Sequence, residues 1–105
     1  PSRWLVDKLV PEPGEGPSPA AQRNGFYDLR FHGRTAGGQR IETRVTGDQD
    51  PGYGSTAKMM TEAALAFAEI DRSNVGGGFW TPATMFGDAL VDRLVAHAGL
   101  TFDVV

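Results

Sequence analysis

From residue 27 to residue 45 the chain alternates apolar and polar side chains in two successive runs, which constrains its fold more than any other feature. Tyr27, Leu29 and Phe31 are interleaved with Asp28, Arg30 and His32. After Arg34-Thr35-Ala36-Gly37-Gly38, the residues Ile41, Thr43 and Val45 are interleaved with Arg40, Glu42 and Arg44. Period two is the period of a half-buried strand. Two such runs joined by a glycine-containing loop predict an antiparallel hairpin over 25–47. A hairpin with one apolar face is marginal alone in water, so the rest of the chain must supply a layer that covers it.

Two helical segments are available for that layer. Over 55–70, Met60, Ala64, Phe67 and Ile70 fall at helical spacing, with Met59, Ala63 and Ala66 beside them. A glycine-rich break follows, after which Thr81 is placed to cap a second helix over 82–98 with Pro82 at its first position. Phe86, Leu90 and Leu94 supply its apolar stripe. Arg93 and His97 sit toward the negative end of its dipole, and Gly99 suits a left-handed cap. Residues 100–105 read as a final short strand. The expected architecture is therefore an α+β two-layer domain. Its antiparallel or mixed sheet, made of the hairpin and the C-terminal strand, is covered by the two helices, with strand order open.

Upstream, Trp4, Leu5, Lys8 and Leu9 have the spacing of the last turns of a helix. Residues 11–19 hold four prolines and two glycines and read as an extended connector. Residues 1–20 are thus expected to be a helix end plus a linker, and the opening Pro1-Ser2-Arg3-Trp4, without a Met or a leader, reads as a piece of a longer chain. A length of 105 residues gives room for one domain.

Composition excludes several functions. The net charge of -3 argues against a protein whose main work is to neutralise nucleic-acid phosphates. The absence of cysteine removes disulfides, thiolate catalysis and Cys-ligated zinc together, and is compatible with the expected cytoplasmic location. No apolar run is long enough to span a bilayer. His32 and His97 are too few for a metal cluster, and Asp48, Asp50, Asp88 and Asp92 lack a metal-loop spacing. No metal site is expected.

Two segments could carry chemistry. The run Asp50-Pro51-Gly52-Tyr53-Gly54-Ser55-Thr56 joins a strand to a helix and presents backbone N–H groups at a positive helix end, a geometry that suits an anion. It is also a strong turn sequence in which Ser55 or Thr56 would serve as a helix cap, and this structural reading is favoured. The run lacks the third glycine of a dinucleotide fingerprint and the Gly-Lys-Ser/Thr of a phosphate loop. The second segment, Gly76-Gly77-Gly78-Phe79-Trp80-Thr81-Pro82, brings a flexible backbone and two large aromatics to the start of a helix. It could close over an apolar or planar ligand, although anchoring of Phe79 and Trp80 in a core or interface is the commoner use.

Taken in order, Pro13-Gly14-Glu15-Gly16-Pro17-Ser18, Gly47 through Asp50-Pro51-Gly52-Tyr53-Gly54, Thr56-Ala57-Lys58-Met59, Gly76-Gly77-Gly78-Phe79-Trp80-Thr81-Pro82-Ala83, Gly87-Asp88-Ala89-Leu90 and Gly99-Leu100-Thr101-Phe102 resemble the C-terminal portion of saccharopine-dehydrogenase-like oxidoreductases, including trans-acting enoyl reductases. The resemblance implies an N-terminal Rossmann domain holding NAD or NADP, not contained in these 105 residues, followed by an α+β domain that shapes the substrate site and supports homodimerisation. On that footing Asp50, Gly52, Tyr53, Gly54, Ser55, Thr56, Trp80 and Thr81 are the substrate-side candidates. The substrate would be a small molecule or acyl-type compound, the catalytic residues are unassigned, and this chain alone would bind no cofactor and turn over no substrate. The alternative is a free-standing interaction module that pairs with itself and has no enzymatic role.

Overall fold

The computed structural model describes residues 14–71, 73 and 75–105. The helix end expected near residues 3–10 and the first part of the connector lie outside the described residues. The remainder of the connector is not wholly extended. Ser18 and Pro19 start a short helix, α1 (Pro19–Asn24), in which the Ser18 hydroxyl accepts the Ala21 N–H and Pro19 occupies the first turn.

Strands β1 (Tyr27–Arg34) and β2 (Arg40–Gly47) form the hairpin. They are closed by a turn in which Gly38 N–H donates to the Thr35 carbonyl at 3.0 Å. Helix α2 (Gly54–Glu69) follows, then α3 (Pro82–Phe86), α4 (Asp88–His97) and β3 (Leu100–Val104). The sheet is antiparallel throughout, in the order β1-β2-β3. This is an α+β domain, and the strand order left open by the sequence follows the chain, with the three helices connecting β2 to β3.

Register sorts the side chains cleanly. Tyr27 pairs with Gly47, Leu29 with Val45 and Phe31 with Thr43; across β2, Leu100, Phe102 and Val104 face the same three positions. The twelve side-chain positions of the two runs therefore divide as expected, with the apolar residues and Thr43 on one face. The other face carries Arg44 bound to both Asp28 oxygens at 3.0 and 2.8 Å, and Arg30 bound to Glu42 at 3.1 Å. These pairs make that side of the sheet a solvated, ion-paired face.

The helical layer corrects two expectations. The helix predicted over 82–98 is broken at Gly87, whose φ of 52° and ψ of -131° belong to a region that only glycine enters readily. It is two helices, α3 and α4. The apolar stripe expected on α2 is also rotated. Ala66 is buried, and Met59 and Ala63 pack on the core of Leu90, Leu94, Ala98 and Leu100, whereas Met60 and Phe67 are exposed.

The inner face of α2 also carries an ion pair to α4. Glu62 is buried and meets Arg93 of α4 at 3.0 Å, while the same guanidinium reaches Glu69 at 2.8 Å. Arg93 thus ties α4 to α2 from its place one turn before His97, in the last turns of the helix as the sequence led one to expect. The Gly99 cap is as expected, with a φ of 71°. The core sits at one end of the sheet, around Leu100. The apolar face beyond it is only partly covered by the helical layer.

Candidate functional site

The turn over 50–56 is organised by Asp50. Its carboxylate accepts N–H groups from Gly52 at 3.0 Å, Tyr53 at 3.2 Å and Gly54 at 2.7 Å. The Gly54 amide above all, with Tyr53 and Gly52 behind it, holds the Asp50 carboxyl below its ordinary value. Asp50 is anchored in turn by α1, because its own N–H donates to the Gln22 carbonyl at 3.0 Å.

This arrangement decides what the positive end of α2 can hold. A dinucleotide pyrophosphate does not fit there, because a carboxylate already occupies the N–H groups such an anion would use and would repel it. The residues expected to cap α2 also take other roles. Ser55 is fully buried, and its hydroxyl shares a 2.9 Å hydrogen bond with that of Tyr27. Thr56 donates its hydroxyl to the Pro51 carbonyl at 2.6 Å. Tyr53 is half exposed and lies against Gly16. Gly54 is buried beside Gln49.

Trp80 and Thr81 stand elsewhere. Thr81 caps α3 reciprocally with Thr84: its hydroxyl accepts the Thr84 N–H at 3.3 Å, and its own N–H donates to the Thr84 hydroxyl at 3.2 Å. Trp80 donates its indole N–H to the Gly76 carbonyl at 3.1 Å, which folds the glycine run back on the ring. The indole then walls a groove of about 450 Å³ with Ala63, Ala64, Phe67, Phe79 and Met85. Phe79 in that wall is fully exposed.

Phe67 lies thirteen residues along α2 from Gly54, roughly 20 Å at the helical rise. The sequence-derived candidates therefore form two separate groups at opposite ends of one helix. The residues that sequence reasoning missed are Phe67, Ala64 and Met85. Phe67 and Ala64 were assigned to the core stripe, and only the rotation of α2 exposes them.

The groove is apolar, with no charged side chain among those lining it. Among the described residues, no group of three or more His, Cys, Asp or Glu side chains is placed to hold a metal. No described helix is long and apolar enough to cross a membrane. Such a groove can bind hydrocarbon by burial, but it offers no general acid, base or nucleophile.

Comparison with curated proteins adds the decisive observation. A putative trans-acting enoyl reductase of Mycobacterium tuberculosis is 43% identical over 96 residues, covering 90% of this chain and 23% of the relative. The chain is similar to enoyl reductases. A trans-acting enoyl reductase of Mycobacterium bovis is 37% identical over 94 residues, and one of Mycobacterium ulcerans is 37% identical over 90, covering 22% and 21% of those proteins. The chain thus spans less than a quarter of the length of the enoyl reductases it matches. No family model matches it, and no solved structure does so significantly.

Proposed function

We propose that this chain is the substrate-side and assembly part of a longer enoyl reductase of the saccharopine-dehydrogenase-like kind, dependent on NAD or NADP and inactive as 105 residues alone. The observation that carries this reading is 43% identity extending over 90% of the chain but only 23% of the relative, a protein about four times as long. Nucleotide binding and hydride transfer fall to a Rossmann domain elsewhere in that polypeptide, in keeping with the carboxylate seated at the start of α2.

Within this reading the Trp80 groove receives the apolar part of an acyl substrate, and Thr81 fixes the loop that carries Trp80. Residues 50–56 shape the turn that leads into α2. Homodimerisation of the longer protein belongs to the same proposal.

The test is the oxidation of NADPH or NADH by the full-length polypeptide in the presence of an α,β-unsaturated acyl thioester, compared with this chain alone. Turnover is expected only from the full-length protein, and its absence there removes the reading. Trp80→Ala in the full-length protein should raise KM by about tenfold, the loss of a buried aromatic contact, with a smaller effect on kcat. An unchanged KM would place the acyl chain elsewhere.

A further inference from the structure

The apolar face of the sheet is more exposed the further it lies from the helices. At the Tyr27, Gly47 and Leu100 end it is closed by Ser55 of α2 and by Leu90, Leu94 and Ala98. One pair further along, Leu29 is 48% and Phe102 38% exposed. Beyond them Phe31 is 53%, Ile41 54% and Val104 75% exposed. These five side chains form one patch, because the register places Leu29, Val45 and Phe102 in one row and Phe31, Thr43 and Val104 in the next.

The opposite face of the same three strands is polar and internally paired. It carries the Arg44–Asp28 and Arg30–Glu42 ion pairs and a Thr46–Thr101 hydrogen bond of 2.7 Å. Strands of this composition have one face made for water and one made for burial, and here the second is half bare.

We propose that the uncovered face formed by Leu29, Phe31, Ile41, Phe102 and Val104 is the seat of another part of the same longer polypeptide, packed as an apolar layer over the sheet. This rests on the reading above that the chain is part of a longer polypeptide, as its match to less than a quarter of the relative suggests.

Area selects this occupant over a second copy of the chain. The exposed part of the five side chains is on the order of 500 Å², the upper range of what a monomer leaves bare. Doubled, it gives about 1,000 Å², which falls inside the range for packed segments of one chain. A stable two-chain interface of standard size needs about 800 Å² per partner, because it must also offset the lost freedom of two bodies. A covalently joined partner escapes most of that cost.

Hydroxyl-radical footprinting tests this on the full-length polypeptide and on the 105-residue chain. Labelling of Leu29, Phe31, Ile41 and Phe102 should fall about fivefold or more in the full-length protein, as side chains leave the solvent. Buried Leu90 and Leu94 should stay unlabelled in both, which certifies that the short chain is folded. Equal labelling of the face in the two proteins overturns the proposal. So does a short chain whose face is already protected and which sediments as a dimer at micromolar concentration.

A second arm needs only the full-length protein. Phe102→Lys should lower its thermal midpoint by about 5 °C or more, while His32→Lys on the polar face shifts it by less than about 1 °C. Equal shifts would overturn the proposal independently of how the short chain behaves. Neither arm reads turnover. A protected face in a protein that reduces no enoyl thioester removes the enzymatic reading and leaves this one standing.

Discussion

Gly47 shows how one residue's missing side chain couples the sheet to the helices. A Cβ at this position would fall within the Tyr27 ring, 2.6 Å from its hydroxyl oxygen. The ring lies over the glycine, and its hydroxyl reaches Ser55, which is fully buried. Gly47→Ala should displace the ring and orphan the Ser55 hydroxyl, at about 3 kcal/mol for the lost packing and the unsatisfied group. In a Tyr27→Ala background the same change should cost less than about 1 kcal/mol, because the obstruction is gone. A urea-denaturation double-mutant cycle measures the difference, and additive costs would refute the coupling.

Asp50 supports a pH prediction at the same scale. Its folded carboxyl is held below the ordinary value of 3.8 by the Gly54, Tyr53 and Gly52 amides. A depressed folded pKa means that its contribution is complete above the unfolded value and is lost as pH falls from about 4 through the folded pKa. Asp28 is shifted the same way, first by its hydrogen bond from Arg44. Asp50→Asn should therefore flatten the acid limb of a thermal-midpoint profile below pH ~4 while lowering the midpoint at neutral pH. A parallel acid limb in the variant would assign the acid sensitivity to other groups.

Among the elements, α2 is the one whose orientation matters most, and Arg93 is its polar tie to α4. The guanidinium joins Glu62, which is buried, and Glu69 on α2 from its place in α4. Arg93→Met should leave the Glu62 carboxylate buried without its partner, at about 2–3 kcal/mol. This is below the loss for a fully enclosed pair, because Arg93 retains some solvent contact. Adding Glu62→Gln should restore at least half of that loss in chemical denaturation, and no recovery would show that Arg93 acts by packing alone.

The same pair explains what could be read from the sequence. Alternation in Tyr27 through Val45 was sufficient for both strands, their faces and the hairpin, because period two depends on each strand alone. The Thr81-Pro82 start was equally local. Helix α2 was recognisable, but its rotation was not. Met59, Ala63 and Ala66 compete with Met60, Ala64 and Phe67 for the inner face, and the outcome rests on contacts to residues far along the chain, the Leu90 and Leu94 core and Arg93, which binds Glu62 from 31 positions off. That rotation is also why Trp80 could be named from sequence while Phe67, its neighbour across the groove, could not. The break at Gly87 was hidden because Pro82 through His97 keeps helical spacing across it, and only its φ of 52° ends α3. The Ser18-Pro19 start of α1 was present in the sequence but was outweighed by the prolines around it.

At the scale of the molecule, the packed region is small for the length of the chain. Among the described residues the buried apolar side chains are Ala66, Leu90, Leu94, Ala98 and Leu100, while the sheet extends well past them. A domain that leaves one sheet face half bare forgoes much of the burial that ordinarily offsets chain entropy, so its margin should lie at or below the low end of about 5–15 kcal/mol. Leu94 is central to the core, and truncating such a residue costs about 2–5 kcal/mol. In the 105-residue chain, Leu94→Ala should therefore abolish the cooperative urea transition followed by circular dichroism. In the full-length polypeptide the same loss is set against a larger total, and the transition should survive at a lower midpoint. If the short chain keeps a cooperative transition after Leu94→Ala, its stability does not depend on a covering layer, and the bare sheet face is an ordinary solvent surface.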